Sequence, residues 1–493
     1  MSHSAAPVIL WFRNDLRLND HPGVAAALST GRPILPLYIW DDSLSARPLG
    51  AAARWWLKRS LDALDESLRQ RGSRLIIVKG HPGITLVHIS RKYDAKTVIY
   101  SRNFELLGED TEADVRHHLR NQHIEARITN ATLLSIPNSL KTKTNSPYRV
   151  FTPFSRALVD SGAASVDKLP ANTHKAWPAP DAWPDSLSSK DLPLETRTPS
   201  GHDWATGFAV FTPGERGAHQ ALDNFIAHGL HAYADGRDRP DQAGTSHLSP
   251  HLRFGEIGPQ RVLHDIEAAA RHDHRLREGA AKFRTELLWR EFCYGLLAQQ
   301  PRLHTVNFRR DFDDFPWLED DKGFRAWTRG ETGYPLVDAG MRQLWRTGWM
   351  HNRVRMVVAS FLVKHLLVDW RRGEQWFWDC LVDADPANNP ANWQWVAGCG
   401  ADAAPYFRIF NPTTQADKFD PRGEYRARFI PGFTVPAKSA RKPAPDLFDQ
   451  AGKDSVNATY PGPIVDHDFA RRRALAAFQS MRAERDDDHD DTD

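Results

Sequence analysis

Through the first hundred residues, short β-branched and aromatic runs alternate with segments whose apolar residues recur at helical spacing, and this alternation constrains the fold most. VILWF (8–12), ILPLYIW (34–40), LIIVKG (75–80) and TVIYSR (97–102) read as buried strands, and AARWWLKRSLDALDESLRQR (52–71) reads as a helix between two of them. Strands alternating with helices predict βαβ units, hence an open parallel sheet with helices on both faces, a Rossmann-like α/β domain. Sheets of that kind take ligands at the carboxyl ends of their strands, near the point where strand order reverses. No GxGxxG or GxxxxGKS loop is present, so a conventional dinucleotide or triphosphate site has no support.

The pattern changes from about residue 131. LPANTHKAWPAPDAWPDSLSSKDLPLETRTPSG (169–201) is rich in Pro, Ser and Asp without periodicity, and reads as a long surface connector. Beyond 213 the chain turns helical: ERGAHQALDNFI, QRVLHDIEAAARHD, AAKFRTELLWREFCYGLL and HNRVRMVVASFLVKHLLVDW follow one another between loops. The expected organisation is an α/β domain over 1–130, a connector over 131–212, an α-helical domain over 213–480 and an acidic disordered tail over 481–493.

Composition narrows the class. With 41% hydrophobic and 26% charged residues in 493, the chain is an ordinary globular protein, large enough to bury its cores without disulfides or metals. Its three cysteines form no framework, no apolar run reaches the roughly 18 to 20 residues of a membrane span, and no secretion signal opens the chain, so a cytoplasmic location is expected. The net charge of +2 hides an asymmetry. Six aspartates crowd the last eight residues, and without them 64 bases would face 56 acids, a balance of +8. A basic body suits a polyanionic partner. Seventeen tryptophans suggest stacking on planar ligands as well as core packing, with most of them core filler.

Four stretches of the helical domain carry unusual residue sets. In GTSHLSPHLRFGE (244–256), Thr245, Ser246 and Ser249 are capping types ahead of a Pro-started helix, placed either to cap it or to meet a phosphate at its N–H groups. In RTELLWREF (284–292), Glu286, Trp289 and Arg290 share a helical face. In HNRVRM (351–356), Asn352, Arg355 and Met356 do the same, and an Asn and an Arg facing inward on an apolar helix need partners. LVDADPANNPANWQWVAGCGADAAPYFRIFNP (381–412) brings Asp383, a possible counter-charge for Arg355, together with Asp385, Asn388, Asn389, Trp393 and Trp395. The DxD pair lacks further ligands at metal spacing, so no metal is expected.

With WFRNDLRLNDHP (11–22), WMHNRVRM, WQW and DAAPYFRIFNP, these stretches stand in one order along nearly the whole chain, and that order resembles the photolyase/cryptochrome flavoprotein family. FWDCLVDADPANNPANWQWVAG looks most like the class III cyclobutane-dimer photolyases. The resemblance implies FAD in the helical domain. Tyr233 and the run Thr245, Ser246, His247, Leu248 and Ser249 would contact its phosphates and ribityl chain. Arg355 with Asp383, followed by Ala384 and Asp385, would lie beside the isoalloxazine ring, and Asn389 would face its N5 nitrogen. A reduced anionic flavin needs fixed positive charge nearby, which a guanidinium supplies.

The implied partner is UV-damaged DNA, with a pyrimidine dimer flipped into a pocket, as photolyases and other base-modifying enzymes do. Trp289 and Trp395 would wall the dimer and Met356 would give an apolar contact. Glu286, protonated in a dry site, would donate to a thymine carbonyl, and Asn352 would hold a base edge or the adenine of FAD. Arg237, Arg290, Arg353 and Arg408 are candidates for DNA phosphates. Trp393, Trp370 and Trp317 match the family's electron relay, though spacing cannot show that they meet. The resemblance also implies an antenna pigment, 5,10-methenyltetrahydrofolate, with Glu109 as one candidate contact, and a monomer acting in the cytoplasm.

Rival readings differ at identifiable positions. A signalling cryptochrome would place an acid where Asn389 stands. A (6-4) photolyase would carry a histidine pair where this chain has His351-Asn352. A nucleotide-binding module built on the N-terminal sheet would leave the DAD, NN and WQW residues without a purpose.

Overall fold

A computed structural model describes residues 5–41, 47–105, 108–164, 169, 176–195, 204–402, 407–435 and 460–490, with the side chains of 108–109 and 483–490 left aside. Glu109, the antenna contact expected from sequence, is therefore outside the described side chains.

The N-terminal unit is a parallel sheet of five strands: β1 (Val8–Phe12), β2 (Ile34–Trp40), β3 (Ile76–Lys79), β4 (Thr97–Ser101) and β5 (Glu125–Thr129), in the order β3-β2-β1-β4-β5. β1 lies in the middle, pairing Leu10 with Pro36 on one side and with Ile99 on the other. Its alternate residues feed two cores. Val8, Leu10 and Phe12 pack with Trp55, Trp56 and Leu61 of the helix Ala51–Arg69, whereas Ile9 and Trp11 pack with Leu86, Ile89, Val115 and Leu119. This two-residue alternation is the pleat at work, and it explains why the strand reads as a continuous apolar run. The four strands expected from sequence occur within a residue of their ends. β5 escaped because EARIT is an edge strand with no fully buried residue, and its polar residues mute the signal.

The connector is more ordered than its composition suggests. It contains the helix Phe151–Asp160, and Trp177, Leu192 and Leu194 are buried in the core of the α/β unit. Leu187 bridges Ile77 in antiparallel fashion. The segment therefore packs down where a surface path was expected, because three large apolar side chains outweigh its prolines. Downstream, HNRVRMVVASFLVKHLLVDW is not one helix. The α-helix Asn352–Ser360 passes into a π turn at Phe361–His365, and a new helix starts at Trp370, where Asp369 caps the N–H of Arg371. The C-terminal helix His467–Asp490 runs on into the aspartate run, where disorder was expected. Among the described residues no helix is long and apolar enough to cross a membrane.

Buried polar clamps join the two units. Glu256, fully buried, accepts from Trp56 Nε1 (3.0 Å) and the backbone N–H of Gly214 (2.7 Å), and touches Ser60 and His251 closely. Gly255, at φ +62°, lies against the Asn14 carbonyl; a Cβ there would sit 2.1 Å from that oxygen. Glu291 accepts from the backbone N–H groups of Leu134 (2.9 Å) and Ser135 (3.2 Å), while Arg290 donates to the carbonyls of Thr132 (2.9 Å) and Leu252 (3.3 Å).

Burial pushes the Glu291 carboxyl up to about 7, against the opposing pull of Arg290 and two backbone donors. The folded state therefore holds this proton more tightly than the unfolded chain, and its contribution is greatest below the unfolded carboxyl range and falls as pH climbs toward 7. Glu291→Gln keeps an acceptor for both N–H groups and removes the cost of charging, of order 3 kcal/mol. Its melting temperature should rise relative to wild type as pH goes from 5 to 8; a constant difference across that range would contradict a neutral buried carboxyl.

Candidate flavin and DNA site

The helix Asn388–Ala397 packs against both Asn352–Ser360 and Trp370–Cys380, and the segment 233–249 joins them where Asp238 pairs with Arg353 and His247 lies on Trp349. The expected ion pair lies in this assembly. Arg355 Nη2 donates to Asp383 Oδ2 at 2.8 Å, and Arg355 Nε is fixed on the Met350 carbonyl at 2.7 Å. A bond between the Val382 N–H and the Gly348 carbonyl (2.8 Å) draws the two loops together. Asp383 is nearly all buried, yet its Oδ1 has no partner among the described residues.

Asp385 has a different job from its neighbour. Its Oδ1 accepts from the backbone N–H groups of Ala387 (2.9 Å) and Asn388 (2.7 Å) and from Asn388 Nδ2 (2.9 Å), which starts the helix Asn388–Ala397. Its Oδ2 accepts from Tyr294 (2.9 Å), whose hydroxyl is kept protonated by burial. Between the two aspartates, the Ala384 carbonyl accepts from Arg253 (2.7 Å).

Asn389 spends its Nδ2 on Glu374, on the backbone carbonyl (3.0 Å) and on Oε1 (2.8 Å). Both amide hydrogens are thereby used, and only Oδ1 remains to meet a ligand. Glu374 is in turn gripped by both terminal nitrogens of Arg47, at 2.8 and 2.6 Å. Glu374, Arg47 and Tyr294 escaped the sequence reading. Only Glu374, four residues after Trp370 in WRRGEQW, carried a signal there, as an acid on the apolar side of a helix.

A guanidinium, an unpaired buried carboxylate oxygen and an outward amide oxygen suit a ring system that bears negative charge and N–H groups. The set fits a reduced flavin.

The loop run differs in detail from expectation. The helix Ser249–Arg253 has Leu248 at its cap position and no side-chain cap, so Thr245, Ser246 and Ser249 do not cap it. Ser246 Oγ accepts from the Leu248 N–H at 3.3 Å, and His247, at φ +53°, lays its ring 4.5 Å from Trp349. Tyr233 is buried edge-on against Phe225 and Phe283.

On the outer side, Trp395 and Met356 are half-buried and Asn352 is exposed on the first turn of its helix, where an inward position was expected. An exposed asparagine amide of this kind meets its hydrogen-bonding needs from solvent. Trp289 is stacked flat on Phe151 of the connector, centroids 3.6 Å apart, which covers one indole face. Glu286 touches Arg237 closely, with Lys282 Nζ 3.6 Å away. The neutral acid expected there is not supported, because two cations hold a carboxylate in place. Arg353 pairs with Asp238 (2.6 Å) over the ring of Phe419, and Arg408 is exposed. Arg290 is no candidate for a DNA phosphate: its terminal nitrogens are spent on the Thr132 and Leu252 carbonyls.

Of the three relay tryptophans, Trp370 and Trp393 are buried in one core and partly buried Trp317 packs against it. Trp393 packs into the space that Gly373 leaves one turn beyond Trp370, where a Cβ would lie 2.2 Å from its ring. Trp370 is fully buried and donates to Asn307 (2.9 Å). Trp317 sits on Phe315, and the next residue, Leu318, bonds the Leu367 carbonyl (2.7 Å) just ahead of Trp370.

Fold and site together define a two-domain flavoprotein, and comparison with known proteins agrees. Residues 8–176 match the family profile described as DNA photolyase, and residues 283–480 match the FAD binding domain of DNA photolyase. The deoxyribodipyrimidine photo-lyase of Agrobacterium fabrum is 48% identical over 98% of this chain and 99% of its own length. The crystal structure of a class III photolyase from Agrobacterium tumefaciens superposes with a TM-score of 0.88 at 46% identity, covering 98% of this chain and 99% of that one. Cryptochrome-1 of Arabidopsis thaliana is 34% identical over 96% of this chain and 70% of its own length. The chain belongs to the photolyase/cryptochrome family.

Removing Arg355 would leave Asp383 buried without its counter-charge, a loss of roughly 3–5 kcal/mol for such pairs. Arg355→Ala should purify with less than a tenth of the flavin held by wild type, read as the ratio of flavin to protein absorbance. A full complement would refute the pairing's role.

Proposed function

We propose that this protein is a class III photolyase that repairs cyclobutane pyrimidine dimers in DNA with blue light. The observation that carries this reading is the Arg355–Asp383 couple with its unpaired Oδ1, together with Asn389, whose amide hydrogens are both taken by Glu374 so that its oxygen is left to accept. Asn389 in place of an acid favours repair over signalling, and Asn352 in place of a second histidine disfavours the (6-4) reaction. Reduced FAD, when bound, supplies the light-driven electron that splits the cyclobutane ring and then takes it back, so the net redox change is zero.

The chain's own residues do the remaining work. Arg355 holds negative charge at the ring, and Glu374 takes both Asn389 amide hydrogens, which leaves the Asn389 oxygen to accept from a ligand. Trp395 and the free face of Trp289 offer indole surfaces to a flipped dimer. Arg237, Arg353 and exposed Arg408 meet phosphates. Trp393, Trp370 and Trp317 pass electrons inward when the flavin has been oxidised. The antenna is assigned to 5,10-methenyltetrahydrofolate, and the protein acts as a monomer in the cytoplasm.

Blue light on reduced protein with a dimer-containing oligonucleotide should restore intact thymines, counted by chromatography; no recovery would end the proposal. Trp393→Phe separates the two electron paths. It should slow photoreduction of oxidised flavin by at least roughly tenfold, as expected for loss of the first donor. Repair by the chemically reduced variant should be unchanged, and a variant that photoreduces normally would remove Trp393 from the relay.

A further inference from the structure

His351 stands ahead of the helix Asn352–Ser360 as its cap, and its Nδ1 accepts the backbone N–H of Arg353 at 3.2 Å. A ring nitrogen that accepts a hydrogen bond carries no proton, so a neutral imidazole here has its hydrogen on Nε2. The ring is only 3% exposed, and burial holds its pKa down to about 4, which keeps it neutral. Nε2 nevertheless has no partner among the described residues. A buried N–H left unpaired costs about 1–3 kcal/mol, so a persistent orphan signals an acceptor that the protein itself does not provide.

The surroundings say where that acceptor comes from. The charged and titratable groups acting on His351 are Asp238, His247, Arg355 and Arg353, and Trp349 lies edge-on at 6.4 Å. Asp238 and His247 belong to the segment 233–249, and Trp349, Arg353 and Arg355 to the stretch that leads into and opens the helix Asn352–Ser360. The arginines only donate, and Asp238 Oδ2 is engaged by Arg353.

We infer that His351 is a further cofactor-holding residue: its Nε2–H donates to an oxygen of the flavin nucleotide lying between the 233–249 loop and Arg355. This rests on the reading that FAD binds at this site.

Two substitutions separate the ring's two nitrogens. His351→Asn retains a strong capping group near the position of Nδ1 but cannot reach that of Nε2, whereas His351→Gln carries an amide N–H toward Nε2. The measurement is release of FAD from the purified holoprotein on dilution, followed by the rise in flavin fluorescence. His351→Asn should raise the dissociation constant about tenfold, as for loss of one buried hydrogen bond, and His351→Gln should recover most of that. Should Asn disturb folding, seen as an early melt, His351→Ser offers another cap without reach. Unchanged FAD release in the Asn and Ser variants would overturn the assignment, since a water would then satisfy the donor. Unchanged release with weaker binding of dimer-containing DNA would also overturn it, placing the donor at the substrate. Wild-type protein that never holds FAD would instead sink the functional reading itself.

Discussion

The buried pairing of Arg355 with Asp383 is the interaction on which the catalytic half depends. Asp383 is almost fully removed from water, and a carboxylate so placed is tolerable only beside a cation. Among the described residues the pairing leaves one carboxylate oxygen unclaimed, and it holds a permanent positive charge beside that oxygen. An ion pair of this kind contributes little as a staple, because desolvation offsets most of its attraction. What it does provide is an electrostatic environment in place before any ligand arrives, which stabilises negative charge without later reorganisation.

Around that pair, polar groups are bonded in a way that dictates which atoms are left for a ligand. Arg47 holds Glu374, and Glu374 consumes both hydrogens of the Asn389 amide, so that an acceptor is presented. Asp385 is drawn off to begin a helix and to hold Tyr294, which keeps its charge from competing with Asp383. His351 follows the same logic in reverse: a backbone N–H takes its acceptor nitrogen and a donor remains. In each case one hydrogen bond away from the site selects the chemistry toward it.

Much of the architecture was legible because it repeats locally. β1, β2 and β4 are runs of branched and aromatic residues buried on both faces, and β3, though at the sheet's edge, keeps Ile76 and Ile77 buried on opposite faces, so these runs announce themselves. β5 is an edge strand with a polar face, and its EARIT carries too little burial to be seen. The connector misled because proline and serine signal irregular backbone but say nothing of whether Trp177, Leu192 and Leu194 find a core. The helix start at Ser249 illustrates a similar limit: two capping residues, Thr245 and Ser246, precede it, yet the backbone places Leu248 at the cap.

The sequence by itself determined which chemistry this protein has to hand: one order of motifs, an arginine and two aspartates, an asparagine where an acid would alter function, and indoles in number. Those are matters of residue identity, and identity survives unfolding. Only the tertiary structure decided partnership. Arg290 turned to the connector, Glu286 to Arg237, Trp289 to Phe151, and three tryptophans scattered between 317 and 393 came to pack in or against one core. Partners distant in sequence meet through packing of whole helices, and that geometry is set by the summed burial of the chain, which no local spacing encodes.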